Sequence, residues 1–323
     1  MNKINFKNFC ESKNFELIKI INFNKRKDSA ILLVKSKNDQ NFVIKIYGNN
    51  APEEIKKSFQ IEINFYKNFN FNGIPKLFDY GNHFFILEYF EGLSLTESVE
   101  KFFLNPNKFD KFYFSNSILS TFDWFYDLKS GIHSAKNNQK KFIIDSFLDR
   151  LGNLLTSGLK DSKKSKLESF FLRRFYKNNF KLLEMGLTKI VDYWINDNLK
   201  ILSFYGHNDL HGNNVLVDQT LSKIKLIDFE NIKSPGIWIC DIIYFYGTLF
   251  ALFSPKKELQ NKIKSYALNY ICTKEPNFNK NQIEIIIDIF CKAAASNSRF
   301  RLYDEGIKIT KMLEYRNSIR SLI

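Results

Sequence analysis

Residues 204–218, FYGHNDLHGNNVLVD, followed at 223–230 by KIKLIDFE, decide the reading of this chain. His207, Asp209 and Asn214 fit the pattern H-x-D-x-x-x-x-N, and Asp228 stands in the second segment. The apolar runs 215–218 and 223–227 are expected to pair as a hairpin. Its two ends then present Asn214 and Asp228 side by side. An amide oxygen and a carboxylate so placed suit Mg2+, a hard cation that takes oxygen ligands. Asp209 suits orientation of an attacking hydroxyl, the task that phosphoryl transfer leaves to a protein carboxylate.

Working outward, the first ninety or so residues read as strands around one helix. The runs 30–34 and 42–47 flank the polar turn 36–41, an expected antiparallel pair. Alternation puts Val43, Lys45 and Tyr47 on one face and Phe42, Ile44 and Ile46 on the other. A lysine in such a strand is costly unless its amine reaches a partner. A helix is expected from Pro52, with Glu53 and Glu54 in its first turn. Its apolar positions Ile55, Phe59, Ile63 and Tyr66 share a face with Glu62, which therefore needs a partner too. Short strands at 76–80 and 84–89 lead to a hinge at Glu91 and Gly92. From 94 to about 200 the pattern is helical, with polar connections such as 160–166, and after 229 it is helical again. The expected class is α+β, with a small β-rich lobe over 1–90 and a large, mainly helical lobe over 91–323.

Composition narrows the function classes. The chain has 323 residues, net charge +14 and a pI near 9.4, but its lysines are spread along its length. No arginine-rich arm, zinc motif or aromatic RNA-binding signature accompanies the charge, so nucleic acid is not an expected partner. The most apolar stretch, 238–253, contains Asp241 and is too short to span a bilayer. Cys10, Cys240, Cys272 and Cys291 lie far apart without a C-x-x-C, which suits reduced thiols in the cytoplasm. Nothing in the pattern sets an oligomeric state. No G-x-x-x-x-G-K-[ST] occurs, which disfavours a P-loop kinase.

HNDLHGNNVLV with LIDFE resembles the aminoglycoside phosphotransferase and choline/ethanolamine kinase group, small-molecule relatives of protein kinases. The resemblance runs over about residues 32–248. It implies a two-lobed, protein-kinase-like fold that takes ATP with Mg2+ and phosphorylates a hydroxyl of a small molecule. By that resemblance Asp209 is the catalytic base, and Asn214 and Asp228 hold the metal. Lys45, in FVIKIY, contacts the nucleotide phosphates with Glu62 as its helix partner. FILEYFEG resembles the hinge, so the backbone of Glu88 and Phe90 meets adenine and Val43 covers it. Asp241 resembles the aspartate that braces the catalytic loop, and His207 a structural residue of that loop.

There are departures. INFNKRKDSAIL, between the first two strands, contains no glycine, so a Gly-rich phosphate loop is absent. The resemblance then implies Ser29 as a phosphate contact, while Lys25, Arg26 and Lys27 read either as helpers or as exposed turn charges. His211 is open between a phosphate or substrate contact and loop packing. Glu230 is open between a second metal or substrate contact and a paired carboxylate. Trp238, Tyr244 and Tyr246 are open between a cation-binding pocket and core packing. The resemblance leaves the acceptor open between an amino alcohol such as choline or ethanolamine and a sugar or amino sugar. Two rival functions remain. One is a catalytically silent nucleotide-binding scaffold, disfavoured by the complete set Lys45, Asp209, Asn214 and Asp228. The other is an atypical protein kinase, disfavoured by His211 in place of the usual loop lysine and by the lack of an A-P-E segment.

Overall fold

Period-two alternation in the first part of the chain produces a five-stranded antiparallel sheet. Its strands are β1 (Phe15–Asn24), β2 (Ser29–Ser36), β3 (Asn41–Tyr47), β4 (Leu77–Tyr80) and β5 (Phe84–Glu88), in the order β1-β2-β3-β5-β4. The structure, a computed structural model, describes residues 6–102, 116–127, 131–156, 163–218, 223–253, 256–297 and 309–321. Short strands follow as β6 (Leu93–Ser94), β7 (His133–Ser134), β8 (Lys200–Leu202), β9 (Val215–Val217) and β10 (Ile224–Leu226). The chain divides into two units. The first comprises Met1–Leu93, Ser115–Thr121 and Asn214–Ile232, and the second Ser94–Phe114, Phe122–Asn213 and Lys233–Ile323. The class is α+β with a small sheet and a mainly helical remainder, as the sequence pattern predicts.

In the first unit both faces of the sheet are covered. Ala30, Leu32, Val34, Phe42, Ile44, Ile46, Phe84 and Ile86 form a buried cluster with Cys10. Cys10 belongs to α1 (Phe6–Ser12), a helix the sequence reading did not anticipate. Seven residues are too few for a periodic signal, and Phe6, Phe9 and Cys10 form a helical face only once the sheet exists to receive it. Against the opposite face packs α2 (Glu53–Asn68), which begins after Pro52. Its Phe59 meets Tyr47 and Phe85 edge-on, and Tyr66 lies against Phe85. Lys45 lies on this second face, opposite Ile31 on β2 and Phe85 on β5.

The second unit is built from α3 (Leu95–Phe102), the C-terminal part of α4 (Asn116–Tyr126) from Phe122 on, α5 (Lys140–Thr156), α6 (Lys163–Asn196), α7 (Trp238–Leu252), α8 (Lys257–Lys274), α9 (Lys280–Ala295) and α10 (Ile309–Arg320). Helix continues from Lys163, so the polar connection expected over 160–166 is partly helical, and 160–162 lie outside the described residues. Every residue of α7 is buried, which explains its run of apolar side chains. Among the described residues no helix is long and apolar enough to cross a membrane.

Gly247 lets α7 approach α9 closely, because a Cβ there would come 3.3 Å from the Phe290 backbone. The α8, α9 and α10 helices are also cross-linked by charge. Asp288 accepts from Lys264, from Lys292 at 2.6 Å and from Ser318 Oγ at 2.5 Å.

Burial alone would raise the Asp288 carboxyl, but the hydrogen bonds from Lys264, Lys292 and Ser318 outweigh it and hold the group below its usual 3.8. A depressed carboxylate stabilises the fold above its unfolded pKa and loses that contribution as pH falls through the folded value. Asp288→Asn should therefore cost roughly 1–2 kcal/mol near pH 7. The gap from wild type should close below about pH 4, as read from urea midpoints of both proteins across pH 3–8.

Candidate active site

The first unit solves the problem of a lysine in an apolar strand with two carboxylates. Lys45 Nζ donates to Glu62 Oε1 at 2.7 Å, to Glu62 Oε2 at 2.9 Å and to Asp228 Oδ1 at 2.8 Å. These three contacts match the three donors of an ammonium. Glu62 is 1% exposed and also accepts from the amide of Phe229 at 3.3 Å. That second bond ties α2 to the segment carrying Asp228. Burial pushes the Glu62 carboxyl up to about 7 against the pull of Lys45, with Asp228 pushing the same way. Burial would lower Lys45, but Asp228 and Glu62 reverse this and raise it. Asp228 itself adopts φ 68° and ψ 61°, the left-handed region that non-glycine residues rarely enter.

Asn214 and Asp228 come together through the β9–β10 hairpin, in which Val215 pairs with Leu226. One step further out, the Ile227 amide donates to the Asn214 carbonyl at 3.0 Å. The side chains available there are an amide and a carboxylate, both oxygen donors, which fits Mg2+ completed by phosphate oxygens and water. Among the described residues no group of three or more His, Cys, Asp or Glu side chains is arranged to hold a metal.

The remaining expected nucleotide residues occupy one region of the same unit. Val43 shares the Lys45 face and pairs with Leu87 and Leu33. Ile31 and Leu33, which the sequence reading did not single out, lie beside it on that face. Ser29 opens β2 on the same face, opposite Tyr47. Glu88 ends β5, and its amide already donates to Lys76 O at 2.8 Å, so its backbone offers a base only a carbonyl. Its side chain accepts from Lys225 at 3.2 Å and from the Lys76 amide at 3.1 Å. Phe90 follows, half-buried. Gly92 is required next, since a Cβ there would lie 2.3 Å from the Val217 carbonyl oxygen. Glu230 lies 3.9 Å from Lys27.

The second unit holds the Asp209 loop, and Asp241 organises it. The amides of His207 and Asn208 donate to Asp241 Oδ2 and Oδ1 at 2.8 and 3.1 Å. Tyr126 Oη donates to Oδ2 at 3.2 Å, and Arg150 donates to Oδ1 at 2.8 Å. Arg150 also reaches Asn208 Oδ1 at 2.5 Å. Asn208 sits at φ 64°, and its own amide group donates back to Gly206 O. His207 and Leu210 are fully buried. Between these anchors Asp209 keeps its side chain 36% exposed, with His211 Nε2 3.8 Å away. His211 is itself buried and its Nδ1 accepts from the Asn213 amide, a loop-packing contact. Tyr126 is held well above its usual range by burial and by Asp241. Trp238, Tyr244 and Tyr246 are buried in α7; the indole N–H of Trp238 donates to Lys200 O and Arg150 lies over the Tyr244 ring. These three aromatics are core.

With this geometry in hand, solved structures supply the comparison. The chain is similar to the ADP-bound aminoglycoside phosphotransferase APH(2'')-Ib, with TM-score 0.51 and 12% identity over 98% of this chain and 96% of that one. It is similar to choline kinase from Cryptosporidium parvum Iowa II, with TM-score 0.51 and 13% identity over 96% and 90%. It is also similar to APH(2'')-IIa in its streptomycin–ATP complex, with TM-score 0.52 and 14% identity over 98% and 96%. This is the kinase-like fold of small-molecule kinases. No protein-family model matches the chain, and no curated protein matches it in sequence. At such identities the likeness is one of fold. The small-molecule-kinase fold spans nearly the whole chain, so the helices after α7 belong to it as much as the sheet does.

Arg150 and Asp241 form a buried pair whose separation would leave a charge without its partner. Arg150→Met should cost about 3–5 kcal/mol. An apolar double replacement often restores such a loss, but here Asp241 also holds two loop amides. Arg150→Met with Asp241→Leu should therefore remain as destabilised as the single variant. A denaturant double-mutant cycle reads this directly.

Proposed function

We propose that the chain is a phosphotransferase that moves the γ-phosphoryl group of ATP to a hydroxyl of a small molecule. The observation that carries this reading is the Lys45–Glu62–Asp228 arrangement on a fold shared with small-molecule kinases. Lys45, steadied by Glu62, binds the α- and β-phosphates. Val43 covers the adenine, and the Glu88 carbonyl and the Phe90 backbone meet its edge. Ser29 lies toward the phosphate end of the same face. Asn214 and Asp228 hold Mg2+, which supplies charge neutralisation of the phosphates.

Asp209 orients the acceptor hydroxyl and accepts its proton. The acceptor oxygen forms a bond to the γ-phosphorus, the bond from that phosphorus to the β–γ bridging oxygen breaks, and ADP leaves with the electron pair. Its neighbours anchor the loop, and the Asp209 side chain is 36% exposed. The acceptor class is an amino alcohol or a sugar or amino sugar, as the resemblance implies. The free cysteines suit a reducing, cytoplasmic setting.

The test is ADP release over a panel of choline, ethanolamine, sugars, amino sugars and nucleosides. Asp209→Asn should lower turnover by about 10²–10⁴-fold, while equilibrium ATP binding stays within about twofold of wild type. Near-normal turnover in that variant removes Asp209 from the role. Binding of ATP without ADP release on any acceptor favours a nucleotide-binding scaffold instead.

A further inference from the structure

We propose that the turn between β1 and β2 grips the nucleotide polyphosphate through a cationic side chain, that of Lys27, in place of backbone amides. This rests on the nucleotide reading above. A loop that binds phosphate through its backbone must keep consecutive N–H groups directed at the ligand. Here two adjacent amides at the tip are already used. Asn24 Oδ1 accepts from the amides of Arg26 and Lys27 at 3.1 and 3.0 Å, closing the turn on itself. The far side is pinned as well. Asp28, at φ 47°, accepts through its carbonyl from the Gly48 amide at 2.7 Å and through Oδ2 from the Asn50 amide at 3.1 Å. A Cβ at 48 would lie 2.2 Å from Asp28 Oδ2, so a larger residue there would displace the carboxylate that caps Asn50. The glycine-free turn is thus fixed in place with its Arg26 and Lys27 amides spent.

The side chains supply what the amides cannot. Ser29, directly after the turn, lies on the Lys45 face of the sheet, two positions before Ile31, the residue opposite Lys45. Lys27 Nζ extends to within 3.9 Å of Glu230 Oε1, and Glu230 is two residues beyond Asp228. The ammonium therefore reaches toward the segment that bears Asp228. Its side chain is 47% exposed, and an ion pair at this distance and exposure is weak. A polyphosphate, with several charges in place of one, displaces Glu230 and takes the ammonium. Charge on the ligand then sets the affinity.

The experiment measures equilibrium binding of ATP, ADP and AMP by calorimetry to the full chain and to Lys27→Met, Lys27→Arg and Lys37→Met. Lys37 lies exposed in the β2–β3 turn and controls for loss of one positive charge. Lys27→Met should weaken ATP binding about tenfold or more and AMP binding less than about twofold. Lys27→Arg should retain most of the ATP affinity, and Lys37→Met should match wild type. The wild-type preference for ATP over AMP should also fall as salt rises. An unchanged ATP-to-AMP ratio in Lys27→Met overturns the proposal and leaves the phosphotransferase reading standing. Absence of nucleotide binding by the wild-type chain overturns both.

Discussion

An ammonium in the middle of a buried strand is tolerated only where carboxylates compensate it, and much of the first unit follows from how Lys45 meets that condition. Its partners come from two other elements, Glu62 from α2 and Asp228 from the segment after β10. One cation thereby joins sheet, helix and hairpin. The arrangement carries an excess of negative charge, since two carboxylates share one lysine. That excess is visible in Glu62, which burial and Asp228 push up to about 7. A metal ion at Asp228 and phosphates at Lys45 would each replace one charge of this triad with another of the same sign. Binding of nucleotide and Mg2+ as proposed would then be an exchange of ion pairs of like sign.

The second unit faces the converse problem, a buried carboxylate, and resolves it with donors. Asp241 takes two backbone amides, a tyrosine hydroxyl and a guanidinium. Because these bonds fall on His207 and Asn208, the loop is held on the residues just before Asp209, and buried Leu210 holds it just after. The catalytic candidate is thus flanked by anchored residues on both sides. Strain at Asn208, in the left-handed region, is sustained by the same contacts.

What could be read from the sequence was what lies within short spacing. The loop pattern of His207, Asp209 and Asn214, the hairpin joining Asn214 to Asp228, and the Lys45 strand are local features. Glu62, seventeen residues from Lys45, could be placed because helical periodicity put it on an inward face. Arg150 gave no such signal, since it lies on an amphipathic helix 91 residues before Asp241 and resembles an ordinary surface arginine until the helices pack. The α1 helix was missed because its apolar face has meaning only against the sheet. The glycine-free turn shows a third kind of failure. The sequence reveals which residue is lacking, but the capping by Asn24 that replaces it depends on backbone geometry.

Charge illustrates the same division between total and position. A net charge of +14 favours no particular partner, because the lysines do different things. Lys45 and Lys225 are largely buried and paired with carboxylates of the first unit. Lys264 and Lys274 cross-link helices of the second unit through Asp288 and Asp123, and Lys292 pairs with Asp288 within one helix. Lys225, Lys264, Lys274 and Lys292 are structural, and counting them toward ligand binding would be an error. Lys27 differs because its weak partner, Glu230, stands beside the segment that bears Asp228. A cation's distance from a replaceable carboxylate therefore says more about what it binds than the sum of all the cations does.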